Sequence, residues 1–108
     1  MEKAPGTALF EFIQPGIDLT LSETAIENIA FLVTNLHKLG IAHGDLHTRN
    51  LIIAEDDSVR LIDLDNAQKS TNGIRKDLDR FRKAVAITSN YEPAIVDAMK
   101  RAGHPLLQ

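Results

Sequence analysis

Residues 51–63 read LIIAEDDSVRLID, two short apolar runs around an acidic centre. Apolar stretches separated by Asp and Ser in this way form a hairpin, LII (51–53) against VRLID (59–63). So short a hairpin decides where its flanks go. Asn50, just before the first strand, and Asp63, at the end of the second, must emerge at the same end of one small sheet. Immediately upstream lies HGDLHTRN, residues 43–50, which packs His43, Asp45, His47, Arg49 and Asn50 into eight positions. That stretch is a catalytic loop, a metal site or a polar turn.

The surroundings are mainly helical. Thr20 and Glu23 have capping-box spacing, and Ile26, Ile29, Ala30, Val33, Leu36 and Leu39 then recur at helical intervals before Gly40, which predicts a helix over 21–39. TALFEFIQ (7–14) reads as a strand leaving into a turn at Pro15 and Gly16. Beyond the loop NAQKSTNG, a second helix is expected from Ile74 to Ile87 with Leu78, Phe81, Ala84 and Val85 on one face. A third, from Glu92 to Ala102, carries Ile95, Val96 and Met99 and stops at Gly103, leaving HPLLQ as a loose tail. The fold class is α+β: mostly helices, with a short hairpin and an N-terminal strand.

The 108 residues suit one domain with one modest core and leave no room for a second. A net charge of -3 gives nucleic-acid binding no support, and the absence of cysteine excludes disulfides and thiolate metal sites. No apolar run approaches the roughly 20 residues that span a bilayer, and MEKAPG lacks a signal-peptide core, so a soluble, cytoplasmic protein is expected.

Phosphoryl transfer from ATP asks a protein for a carboxylate to orient the acceptor hydroxyl, oxygen ligands for Mg²⁺, and positive charge near the phosphates. Asp45 can supply the first. Asn50, five residues on, and Asp63, beyond the hairpin, can share a hard cation through amide and carboxylate oxygens. Other readings compete. His43 and His47 have the H-x-x-x-H spacing of a zinc pair, although Gly44 weakens a helix there and no Glu occupies the adjacent zincin position. Asp45 and Asn50 taken singly are ordinary turn formers, and Asp63 and Asp65 can simply end a strand in solvent.

Together these residues carry a resemblance. LHKLGIAHGDLHTRNLIIAEDDSVRLIDLDNAQ, residues 36–68, resembles the catalytic core of the protein-kinase-like superfamily, with HGDL where protein kinases have H-R-D-L and LIDLD where they have the D-F-G segment. Gly44 and the "ID" variant are similar to the lipopolysaccharide core sugar kinases, the RIO-like kinases and the aminoglycoside phosphotransferases. IDLDNAQ followed by RKDL is most similar to the first of these. ALFEFIQPGIDL resembles the strand and hinge that join the two kinase lobes, and helix 21–39 the long helix of the C-terminal lobe.

The resemblance implies ATP and Mg²⁺ as cofactors and a sugar or Ser/Thr hydroxyl as acceptor. It makes Asp45 the residue that orients or deprotonates that hydroxyl, Asn50 and Asp63 the Mg²⁺ ligands, and His43 a brace beneath the loop. Backbone groups around Glu11, Phe12, Ile13 and Gln14 would meet adenine. Asp77 would accept hydrogen bonds from the catalytic-loop backbone, with Asp79 an equally simple candidate. His47 and Arg49 would counter phosphate charge. Gly44 stands where many protein kinases keep the Arg that grips a phosphorylated loop, so activation of that kind is not expected.

A kinase also needs a glycine-rich loop and a strand Lys before the hinge, and neither occurs: no G-x-G-x-x-G is present, and Lys3 has no V-A-I-K-like strand around it. The chain resembles a C-terminal lobe without its N-terminal lobe, and weak activity or none is expected of it alone. The alternative is a pseudokinase-like binding or regulatory module. An uncovered hinge would leave Leu9, Phe10, Phe12 and Ile13 short of partners, so pairing is expected, with a second copy or with a chain bearing the N-terminal lobe. Glu55, Asp56 and Asp57 are expected to solvate a turn. Arg75, Lys76, Arg80, Arg82 and Lys83 form a wet helix face that could instead meet an anionic sugar, phosphate or lipid headgroup, and His37 and His104 default to structural or surface roles.

Overall fold

The computed structural model of the chain describes residues 6–12, 21–88 and 91–107. A two-residue strand β1 (Thr7–Ala8) runs into a single helical turn α1 (Leu9–Phe12), and the long helix α2 (Glu23–Lys38) follows. Then come β2 (Ile41–Ala42), β3 (Leu51–Ile53), β4 (Val59–Leu61), β5 (Gln68–Lys69), and the helices α3 (Thr71–Thr88) and α4 (Glu92–Arg101).

Strands β2 to β5 form two antiparallel ladders nested one inside the other. The inner ladder is the expected hairpin, β3 on β4 with Leu51 opposite Leu61 and Ile53 opposite Val59. The outer ladder pairs β2 with β5, Ile41 opposite Lys69 and Ala42 opposite Gln68. Residues 43–50 leave the outer ladder and enter the inner one, and residues 62–67 make the return journey. Both loops are therefore closed at each end by paired strands and face each other across the gap.

Of the strand expected over 7–14, Thr7–Ala8 is a strand paired with Ile53 and Ile52, residues 9–12 are helical, and 13–14 lie outside the described residues. In this register only Leu51 of β3 is left opposite Leu9 before the chain turns into a 3₁₀ helix at Thr48–Asn50, so the ladder has at most one further pair to offer. The chain coils instead, and Leu9 is fully buried in the core rather than short of partners. Phe10, Phe12 and Ile13 lie outside what is described for side chains.

Helix α2 is capped by Ser22, whose hydroxyl accepts from the Ala25 amide at 3.0 Å; Thr20 of the expected capping box lies outside the described residues. Its buried stripe runs Ile26, Ile29, Ala30, Val33 and then His37, while Leu36 is only half-buried and Leu39 is 66% exposed. The stripe packs along α4, with Leu78, Phe81 and Val85 of α3 closing the same core against Leu51 and Ile53. Helix α3 begins three residues earlier than expected because Ser70 caps it, its hydroxyl accepting from Gly73 at 2.9 Å.

Helix α4 ends at Gly103, whose φ of +87° allows the turn in which the Gly103 amide donates to Lys100 and the His104 amide to Met99. That turn drives the chain inward. The tail is not loose: His104 is fully buried and Leu106 and Leu107 pack on the core. Among the described residues no helix is long and apolar enough to cross a membrane.

Candidate active site

The two facing loops are stitched together by hydrogen bonds. Asn50 Nδ2 donates to the Asp45 carbonyl at 2.8 Å, and the Ile62 amide donates to the Asn50 carbonyl at 2.9 Å. His43 joins them from beneath. Its Nδ1 accepts from the Asp45 amide at 3.1 Å, which leaves the neutral ring's proton on Nε2 to donate to the Ile62 carbonyl at 2.8 Å. His43 is fully buried beneath the two loops.

Those bonds also bear on metal binding. Both ring nitrogens of His43 are occupied, and His47 Nδ1 accepts from the Arg49 amide at 3.3 Å as the cap of the 3₁₀ turn, so the H-x-x-x-H pair cannot bind zinc in this form. Among the described residues no cluster of three or more His, Cys, Asp or Glu could hold a metal. Asn50 and Asp63 offer something different. With its nitrogen committed to Asp45, Asn50 retains its amide oxygen, and the exposed Asp63 makes no cap hydrogen bond. Two hard oxygen donors suit Mg²⁺, which keeps several waters and phosphate oxygens of its own. Asp63 is held at φ 61°, ψ 56°, a left-handed conformation that Asp tolerates better than most residues.

Gly44 is explained by the same closeness. Its φ is +92°, and a Cβ there would lie 2.7 Å from the Asn66 carbonyl oxygen of the opposite loop. Gly44→Ala is expected to lower stability by about 2 kcal/mol, from left-handed strain plus overpacking. Urea unfolding midpoints measure this, and a variant as stable as wild type would show that the loops are not in contact.

The loop 43–50 hangs from a buried carboxylate. Asp77 Oδ2 accepts from the His43 amide and Oδ1 from the Gly44 amide at 3.1 Å, while Asp79 is exposed, which resolves the two candidates. His37 Nε2 contacts Asp77 Oδ2 at 3.1 Å, and His37 Nδ1 meets His104 Nε2 at 2.7 Å. Burial pushes the Asp77 carboxyl up, but the hydrogen bonds from His37, His43 and Gly44 outweigh it and hold the group below its ordinary range. Burial first, and then the neighbouring His37, push His104 down to about 4.

Arg80, one turn beyond Asp77, reaches the loop as well. Its Nη1 donates to the Gly44 carbonyl at 3.2 Å and lies 3.5 Å from Asp45 Oδ1, both side chains half-exposed. It was legible only as part of a wet basic face, although a residue three positions from the loop-binding Asp must point the same way. His37 was read only as a structural or surface residue, although it continues the stripe 26–30–33. Arg49 is exposed on the 3₁₀ turn, and Glu11 is exposed on α1, where its backbone is helical rather than the extended strand expected to meet adenine. Ile13 and Gln14 lie outside the described residues.

Comparison with known proteins agrees with this geometry. The chain is 36% identical over 76 residues to maternal embryonic leucine zipper kinase of Xenopus laevis, a stretch that covers 68% of this chain and 12% of that protein. It is 39% identical over 70 residues to the mouse (Mus musculus) PAS domain-containing serine/threonine-protein kinase, covering 62% of this chain and 5% of that one. The chain thus spans only a small fraction of the relatives it matches. A model of the lipopolysaccharide kinase (Kdo/WaaP) family matches residues 7–102, from the first strand through the last helix. The chain belongs to the lipopolysaccharide kinase (Kdo/WaaP) family.

Proposed function

We propose that this chain supplies the catalytic-loop half of an ATP- and Mg²⁺-dependent phosphotransferase that acts on a sugar or Ser/Thr hydroxyl. The observation that carries the reading is the stitching of the two loops: Asn50 bonded to the Asp45 carbonyl and the Ile62 amide bonded to the Asn50 carbonyl hold Asp45, Asn50 and Asp63 in one small patch. Asp45 orients the acceptor hydroxyl and takes its proton as the oxygen bonds to the γ-phosphorus and the bond to the β–γ bridging oxygen breaks. Asn50 and Asp63 would hold Mg²⁺, which when bound neutralises phosphate charge. His47, with Nδ1 engaged by the Arg49 amide, has its ring proton on Nε2, where it can donate to a phosphate oxygen, and Arg49 adds positive charge on the same turn.

A second reading of the same site is a pseudokinase-like binding or regulatory module that keeps the polar loop without turnover. Strand β1 lies at the margin of its sheet, where a second copy or a chain bearing the N-terminal lobe would pair. One titration separates the readings from their shared alternative of no nucleotide site. With Mg²⁺ and a non-hydrolysable ATP analogue, resonances of Asp45, Asn50 and Asp63 are expected to shift in wild type and not in Asp63→Asn. Unchanged resonances at millimolar nucleotide would sink the proposal.

A further inference from the structure

We infer that His104 is a positioning residue for the catalytic loop, acting through His37 and Asp77. It deepens the phosphotransferase reading, on which the word catalytic rests. The four linked groups come from two helices, a loop and the turn that follows α4, and all are buried: His104 at 0%, His37 at 2%, Asp77 at 2% and His43 at 0% exposure.

A backbone amide fixes the direction of the whole chain of bonds. The Leu106 amide donates to His104 Nδ1 at 3.1 Å, and an amide cannot accept. Neutral His104 therefore carries its proton on Nε2 and donates it to His37 Nδ1, 2.7 Å away. His37 must then carry its own proton on Nε2, where it donates to Asp77 Oδ2 at 3.1 Å. A proton on His37 Nδ1 would leave His104 with none. Asp77 in turn accepts from the amides of His43 and Gly44, the two residues before Asp45. The two imidazoles meet edge to face, centroids 4.9 Å apart and planes at 86°.

Rotation of the Asp77 carboxylate decides where the loop amides sit. Within this chain of bonds its side-chain donor is His37, and the ring of His37 is held at its other nitrogen by His104. The turn at Gly103 delivers His104 to that place, and Lys38 Nζ, donating to the Ala102 carbonyl at 2.8 Å, clamps the end of α4 to the end of α2. An apolar residue at 104 could fill the volume. It could not orient His37.

The test uses the full, isotopically labelled chain without nucleotide, so its failure is separate from failure of the phosphotransferase reading. In wild type, long-range proton–nitrogen spectra are expected to show His37 and His104 both protonated on Nε2. In His104→Leu the His43 and Gly44 amides are expected to exchange about tenfold faster relative to Ile29 and Val33 in the middle of α2. In His104→Gln, whose side-chain amide can donate to His37 Nδ1, protection should return. A His37 proton on Nδ1, a uniform change at all four amides, no change at His43 and Gly44, or no rescue by Gln would overturn the inference. If His104→Leu does not fold, the wild-type tautomers and protection in His104→Gln decide it.

Discussion

Asp77→Ala is expected to lower the unfolding free energy by about 3–5 kcal/mol, a large part of the roughly 5–15 kcal/mol that holds a domain together. The side chain is 2% exposed and accepts from the His43 amide, the Gly44 amide and His37 Nε2. Alanine removes the acceptor and leaves three donors in a space that water does not reach, each costing about 1–3 kcal/mol if nothing replaces the bond. Asp77→Asn is expected to be milder, because its oxygen still accepts, although one donor then faces an amide NH₂. Urea unfolding followed by circular dichroism measures both. An Asp77→Ala protein within about 1 kcal/mol of wild type would mean that the catalytic loop does not depend on this carboxylate.

How much of this was legible in the sequence depends on the range of the forces involved. The hairpin was readable because its signals are local: β-branched and apolar runs on either side of Asp and Ser, with Asp57 adopting the left-handed turn conformation at φ 70°. Helices α2 and α4 were readable from periodicity, and their ends from Gly40 and Gly103. The N-terminal strand was not, since its length is set by its partner: β3 offers pairing only from Leu51 to Ile53, and Leu9 gains more by entering the core than by adding the one pair that is left. The start of α3 was missed because Gly73 resembles a loop residue, when Ser70 three positions earlier was the cap.

In the candidate site, the neighbours that short chain segments bring together were legible and the contacts made across the core were not. Asp45, Asn50 and Asp63 are joined by the hairpin, and the loop-bracing roles of His43 and Asp77 followed from the resemblance. The pairing of His37 with His104 spans 67 residues, and neither residue has local neighbours that announce it. Physical hints existed for both. His37 lies four residues beyond Val33 on the buried stripe, and His104 follows the helix-ending glycine at the position where such turns tuck a side chain back against the last helical turn. Two polar residues at apolar positions imply a buried partner, and each is the other's.

Acid is expected to weaken the fold in a window that this pair defines. The unfolded chain protonates His104 near its ordinary value of 6.5, whereas in the fold burial and His37 delay protonation to about pH 4. The hydrogen bonds give the same answer independently: the vacant nitrogen of neutral His104 is Nδ1, which already accepts from the Leu106 amide, so a proton can enter only by breaking that bond. Between those two pH values the unfolded state holds more protons than the native state, and stability must fall as pH is lowered. The full contribution is present above about pH 6.5 and lost by about pH 4, on the order of 3 kcal/mol at about 1.4 kcal/mol per pH unit. Asp77 extends the loss downward. Its native pKa lies below the ordinary 3.8, so its contribution holds above that value and disappears only as pH falls through the native one. Urea midpoints recorded from about pH 7.5 to about pH 4.5 should therefore drop steadily in wild type, with the His104 share of the slope absent in His104→Gln. A midpoint that stays constant across that range would mean that His104 is protonated as readily in the fold as outside it, and that the buried relay is not closed in solution.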